Sequence, residues 1–120
     1  MEHHMHLFKT PFNMIQSGYK TVEVRLNDDK RRKLKPNDTI HFTVLPEEDQ
    51  SVTVTVEKLE TYPTFKDMYT SISGKELGND RGETIAEMIR NTYDIYSSEQ
   101  EEKWGAVAIY IRLAADSPDD

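Results

Sequence analysis

The chain has 120 residues, 31% of them charged, with a formal net charge of −7 and a mean hydropathy of −0.75. That length suits one domain able to bury a core without disulfides or metals, and the absence of cysteine removes disulfide frameworks, thiolate zinc sites and a cysteine nucleophile together. No apolar run approaches the roughly 18 residues a membrane span needs and no signal-peptide pattern opens the chain, so a cytoplasmic protein with no membrane partner is expected.

The charge is unevenly spread. Residues 1–35 hold eight Lys or Arg against four Asp or Glu, whereas residues 36–120 hold seven against eighteen. A basic patch on an otherwise acidic protein suits one phosphate or a short single strand, and it argues against tight binding of duplex DNA.

Taken in order, Met1 to Met5 carries His3 and His4, with His6 just beyond. A chain end is mobile unless tied down and chelation needs fixed geometry, so a solvated cluster is expected here and no metal site. Thr10 before Pro11 predicts a helix start with Thr10 as its N-cap, and Gly18 predicts its stop, with Phe12 and Ile15 facing the core.

Gly18 to Arg25 then reads as a strand. Successive side chains alternate faces, so Val22, Val24 and Leu26 form an apolar side that serves the fold. Glu23 and Arg25 share the other side with Tyr19 and Thr21 and call for a different explanation. Their bland reading is an exposed ion pair of little energetic worth. The sharper one adds Lys20, with the two cations holding a phosphate or base carbonyl while Glu23 orients them.

Asn27-Asp28-Asp29 is a turn signal, followed by the basic run Lys30, Arg31, Arg32, Lys33 and Lys35, and by a second turn at Pro36-Asn37-Asp38. The basic run reads either as a solvated loop or as a phosphate contact. Thr39 to Val44 and Ser51 to Leu59 alternate like half-buried strands and predict an antiparallel hairpin, with His41 as a surface strand residue. Phe65, Met68, Tyr69 and Ile72 predict one core-facing helix. Ser73 to Arg81 reads as a loop with no nucleotide-binding glycine pattern.

Thr84 opens another helix, with Ile85, Met88, Ile89, Tyr93 and Tyr96 on or near its core face. Tyr93 and Tyr96 also suit base stacking, although core packing explains such spacing too. Ser98 to Lys103 predicts a short exposed helix. From Ala106 a last strand carries Val107, Ile109, Ile111 and Leu113 on one side and is expected to pair near the first strand.

Gly18, Lys20, Glu23 and Arg25 reproduce the G-x-K-x-x-E-x-R signature of the ASCH domain family. The similarity extends from His4 through Pro11-Phe12-Asn13-Met14-Ile15 and Arg25 to Arg31, and returns at Tyr96-Ser97 and Trp104-Gly105-Ala106-Val107, so the chain resembles that family over most of its length. The resemblance implies an α+β fold, a small, mostly antiparallel PUA-like β-barrel with about three flanking helices. It implies single-stranded RNA or a nucleotide-like small molecule as partner. The candidate ligand-binding residues are then Lys20, Glu23, Arg25, Lys30, Arg31, Tyr96 and His4, with no cofactor and no metal.

Some small relatives are amidohydrolases acting on acetylated cytidine, with a threonine nucleophile three residues after the signature lysine. Here that place is held by Glu23, while Thr21 stands one residue after Lys20, so that activity does not transfer. The alternative is a small hydrolase acting on modified nucleosides or RNA, with Glu23 as general base and Lys20 or Arg25 stabilising developing charge. One ASCH/PUA-like domain is expected over residues 1–113, with an acidic, frayed tail over 114–120.

Overall fold

In the computed structural model, which describes residues 1–79 and 82–114, the chain order is β1 (Glu2–Phe8), α1 (Lys9–Gln16), β2 (Val22–Leu26), a 3-10 turn (Arg31–Lys33), β3 (Thr39–Leu45), β4 (Ser51–Tyr62), α2 (Phe65–Ser71), α3 (Ile85–Tyr93), α4 (Ser98–Trp104) and β5 (Ala106–Leu113). The expected tail from residue 115, and Asp80 and Arg81 of the predicted loop, lie outside the described residues. The strands form one sheet in the order β1-β3-β4-β5-β2, curled into a half-barrel. β1 runs parallel to β3 and the other pairings are antiparallel. The predicted α+β, mostly antiparallel PUA-like fold is therefore present, with four α-helices among the described residues where about three were expected.

β4 makes the curl possible. Its first half pairs with β3 and its second half with β5, with a register shift between Val56 and Lys58. An extra residue at such a point bends a strand and increases its twist.

Two apolar clusters lie on opposite sides of the sheet. Met5, Leu7, Phe12, Ile15, Phe42 and Ile109 belong to the cluster inside the curl, closed at one end by α1. Val22, Leu26, Ala106 and Ala108 pack with Phe65 and Met68 of α2 in the outer cluster. β2 and β5 are thus covered on both faces. The predicted apolar side of β2 does serve the fold, but through the helices, because Val22, Val24 and Leu26 stand opposite Tyr110, Ala108 and Ala106. Glu23 and Arg25 stand opposite Ile109 and Val107 and so face into the curl.

The helical layer is joined by Glu101, a buried carboxylate on α4. It accepts the Phe65 main-chain N–H at the start of α2 at 2.7 Å and the Tyr93 hydroxyl at the end of α3. Thr84 and Ser97 each form a reciprocal capping box at the starts of α3 and α4.

Several expectations need correction. The N-terminal segment is not a mobile end: it is β1, with His3, Met5 and Leu7 buried. His3 Nε2 lies 2.8 Å from Asp38 Oδ2, and Asp38 also accepts the Lys35 N–H, which anchors β1 to the turn before β3. Thr10 is not the N-cap of α1, since the helix begins at Lys9 with Phe8 in the cap position and no side-chain cap bond. The first signature strand begins at Val22, not Gly18. On α3 the core spacing overstates burial: Ile85 and Tyr93 are exposed and Thr92 is the buried residue. No helix among the described residues is long and apolar enough to cross a membrane.

Candidate functional site

The site forms where the half-barrel stays open. β1 and β2 are the two edges of the sheet, and a cleft of about 290 Å³ lies between them, walled on the third side by the helical layer. Its floor carries Lys20, Glu23 and Arg25, and Tyr69, Thr92 and Tyr96 line the helical side.

Lys20 reaches this floor because it precedes the strand. Gly18 takes a φ of +82°, and the N–H groups of Tyr19 and Lys20 both bond the Met14 carbonyl, so the chain wraps the end of α1 before β2 starts. A left-handed backbone there favours glycine, and strand parity does not apply to Lys20. Its Nζ donates to the Leu77 carbonyl at 3.2 Å and stands 3.3 Å from Glu23 Oε1. Gly78 packs directly on the Lys20 stem, where an added Cβ would lie 3.1 Å from Lys20 Cβ and 3.0 Å from Met14 Sδ.

The other carboxylate oxygen is held by Arg25. Arg25 Nε donates to Glu23 Oε2 at 2.7 Å, and Nη2 donates to the His6 carbonyl on β1, also at 2.7 Å. The guanidinium carbon lies 6.0 Å from the Phe42 ring centroid, so the inner core supports it from behind. The side chains of Lys20, Glu23 and Arg25 are 12%, 7% and 12% exposed. Burial alone would raise the Glu23 pKa, but the charges of Lys20 and Arg25 and their hydrogen bonds outweigh it and hold the carboxyl below its ordinary value. The result is a fixed, ionised carboxylate between two cations, with one net positive charge.

Aromatic groups meet the floor from the helical layer: Tyr69 from α2, and Tyr96 from the link between α3 and α4 and not from the helix opened by Thr84 where it was expected. The Tyr96 ring stacks on Phe65, 5.7 Å between centroids and 7° from parallel, so the core holds one of its faces. The Tyr69 hydroxyl pairs with Thr92 Oγ1 at 2.7 Å, and burial pushes the Tyr69 pKa up. At the rim, Phe8 is 67% and Ile95 70% exposed although both are large and apolar.

The structure thus brings together four of the residues singled out in the sequence: Lys20, Glu23, Arg25 and Tyr96. It does not bring His4, which lies on the outer side of the sheet, stacked on His41 with 5.0 Å between ring centroids. Side chains alternate along β1, so His3 points inward and His4 outward. Lys30 lies near this charge field: partial burial first, then the charges of Arg31 and Arg25, lower its pKa, with Asp28 opposing. Arg31 is drawn away to Asp28 Oδ2 at 3.0 Å and lines a separate groove with Arg32 and Leu34. Phe8, Tyr69, Thr92, Ile95 and the Leu77–Gly78 clamp were not legible, because their roles depend on where distant segments meet.

A small curled half-barrel with a charged cleft at its seam is a PUA-like architecture, and the comparisons agree. The ASCH domain profile matches residues 5–114. The chain belongs to the ASCH domain family. It is similar to the hypothetical protein PH0355, at 31% identity and a TM-score of 0.84, covering 95% of this chain and 100% of that one. It is also similar to protein PF0455 from Pyrococcus furiosus, at 33% identity and a TM-score of 0.72, covering 94% of this chain and 97% of that one. A mutant of ZmASCH from Zymomonas mobilis shares the fold at 14% identity and a TM-score of 0.62, covering 91% of this chain and 67% of that one. No curated protein matches the chain.

Proposed function

We propose that the chain binds single-stranded RNA or a nucleotide-like ligand in the cleft between β1 and β2. The observation that carries this reading is the meeting of Lys20, Glu23 and Arg25 on one floor beneath the exposed apolar rim of Phe8 and Ile95. Fixed cations offer donors to a phosphate or carbonyl, and the rim offers faces for a flat ring. Family membership supports the same ligand class. The acidic balance beyond residue 35 disfavours a duplex, whose backbone requires an extended basic surface.

Hydrolysis with Glu23 as general base receives less support. A base works best with a pKa near the working pH, whereas Glu23 is held low and both its oxygens are already engaged. Thr21 lines a different groove, with Gly18, Glu76 and Tyr110.

Titration of isotope-labelled protein with a mixed-sequence single-stranded oligoribonucleotide tests the proposal. Resonances of Lys20, Glu23 and Arg25 are expected to move, with an effect that weakens as salt rises. Silence at all three, with nucleotides as well as with the oligomer, refutes it.

A further inference from the structure

We infer that the main-chain N–H and C=O of Val24 form a recognition edge for the Watson–Crick edge of a single unpaired nucleobase. This rests on the cleft being a nucleotide site and adds what part of the nucleotide it reads.

The ladder between β2 and β5 decides which main-chain groups are free. Ile111 N–H bonds the Thr21 carbonyl and Asn27 N–H bonds the Gly105 carbonyl, while Val24 stands opposite Ala108. Bonded and non-bonded pairs alternate along an antiparallel ladder. Glu23, Arg25 and Asn27, and the Thr21 carbonyl, therefore face β5, and Val22, Val24 and Leu26 direct their groups to the open edge. The Val22 N–H is taken by the Glu76 carbonyl at 3.0 Å, and neither Val22 nor Leu26 lines the cleft. Val24 lines the cleft, and with its N–H and C=O turned away from β5 no turn, loop or side-chain bond reaches them among the described residues.

A donor and an acceptor on one extended residue point the same way and match any flat group with an acceptor and a donor on neighbouring atoms. Uracil, guanine, cytosine and adenine each carry such a pair on the edge used in base pairing, so only an unpaired base can present it. The surroundings suit a base better than an added peptide strand. Strand addition needs a run of alternating free groups. Here the His6 carbonyl on the facing strand is capped by Arg25, and of Val22, Val24 and Leu26 it is Val24 alone that lines the cleft. Phe8 and Ile95, at the rim of the same cleft, supply apolar surface for the ring faces.

The test compares the four ribonucleoside 5′-monophosphates with forms methylated on the pairing edge: N3-methyluridine, N1-methylguanosine, N4,N4-dimethylcytidine and N6,N6-dimethyladenosine 5′-monophosphates. For the nucleotide that binds best, the methylated form is expected to bind about tenfold or more weakly, the factor typical of losing a paired base-edge contact. The Val24 amide proton is expected to move downfield with the parent nucleotide and not with the methylated one. Val24→Pro removes the donor at an edge position that the ladder does not use, and is expected to reproduce the loss. If that variant fails to fold, the amide shift decides. Equal affinity for parent and methylated forms, with Lys20, Glu23 and Arg25 still perturbed, overturns the inference and leaves the nucleotide site standing. No response to any nucleotide overturns both.

Discussion

Arg25 on β2 donates to the main-chain oxygen of His6 on β1 at 2.7 Å, so the two edges of the half-barrel are joined by a side chain where a closed barrel would have a ladder. The same guanidinium holds Glu23. Arg25 is therefore both the latch of the seam and part of the cleft floor.

Arg25→Ala is expected to destabilise the protein by about 3 kcal/mol, since it leaves a buried carboxylate half-paired and frees the His6 carbonyl. Arg25→Lys is expected to recover less than half of this, because an ammonium lacks the planar fork that reaches both partners. Urea unfolding at unchanged slope measures the loss. Faster amide exchange along β1 would locate it, and unaltered exchange there would remove the latch.

Glu23→Gln separates charge from shape. The folded pKa of Glu23 lies below its ordinary value of 4.5, so its contribution is present above that value and lost as pH falls through the folded value. At pH 7 the variant is expected to be less stable by about 2 kcal/mol, the scale of a charge-assisted hydrogen bond. The gap should close as pH drops below 4.5. A gap independent of pH would mean that the lost interaction is not ionic.

Gly78→Ala tests the clamp on Lys20. The position has a φ of +80°, and its added Cβ would meet Met14 Sδ at 3.0 Å and Lys20 Cβ at 3.1 Å. Gly82, with a φ of +70° and nothing within 4 Å, supplies the control for backbone strain alone. Gly82→Ala is expected to cost about 1 kcal/mol and leave Lys20 unmoved, and Gly78→Ala to add about 1–3 kcal/mol and shift the Lys20 resonances. Equal effects in the two variants would show that the clamp plays no part.

His3 and Asp38 tie β1 down from its other end. The hydrogen bond from His3, and then the Lys35 N–H and the N-terminal ammonium, lower the Asp38 pKa against an opposing effect of burial. That stabilisation is complete above the ordinary aspartate value of 3.8 and fades as pH falls through the lower folded value. Asp38→Asn is expected to accelerate exchange of the β1 amides at neutral pH while leaving β4 and β5 protected. Uniform loss across the sheet would count against a local role.

Much of the sheet was legible because burial is one-sided along its strands. The alternation at Ile40, Phe42 and Val44, and at Val52, Val54 and Val56, is the inner face of the curl. β1 follows the same rule, with His3, Met5 and Leu7 inward, but a histidine in a core position masks the pattern and its parallel partner β3 lies far along the chain. Lys20, Glu23 and Arg25 share the cleft floor, although strict alternation counted back from Val22 would put Lys20 on the side opposite Glu23. Local helix-end geometry at Gly18 decides that side chain, and periodicity carries no trace of it. Ile95 and Phe8 were illegible for the opposite reason: an exposed apolar residue is ordinary in isolation and gains meaning only when another faces it across a gap.

Ala106 and Ala108 are fully buried on β5 behind the helical layer, whose α2 carries Tyr69, whose α3 carries Thr92 and whose link to α4 carries Tyr96. Two methyl groups act as shims behind the helical wall and set how far that wall stands from the seam. The bore of the cleft is gauged from the rear, by residues that do not line it.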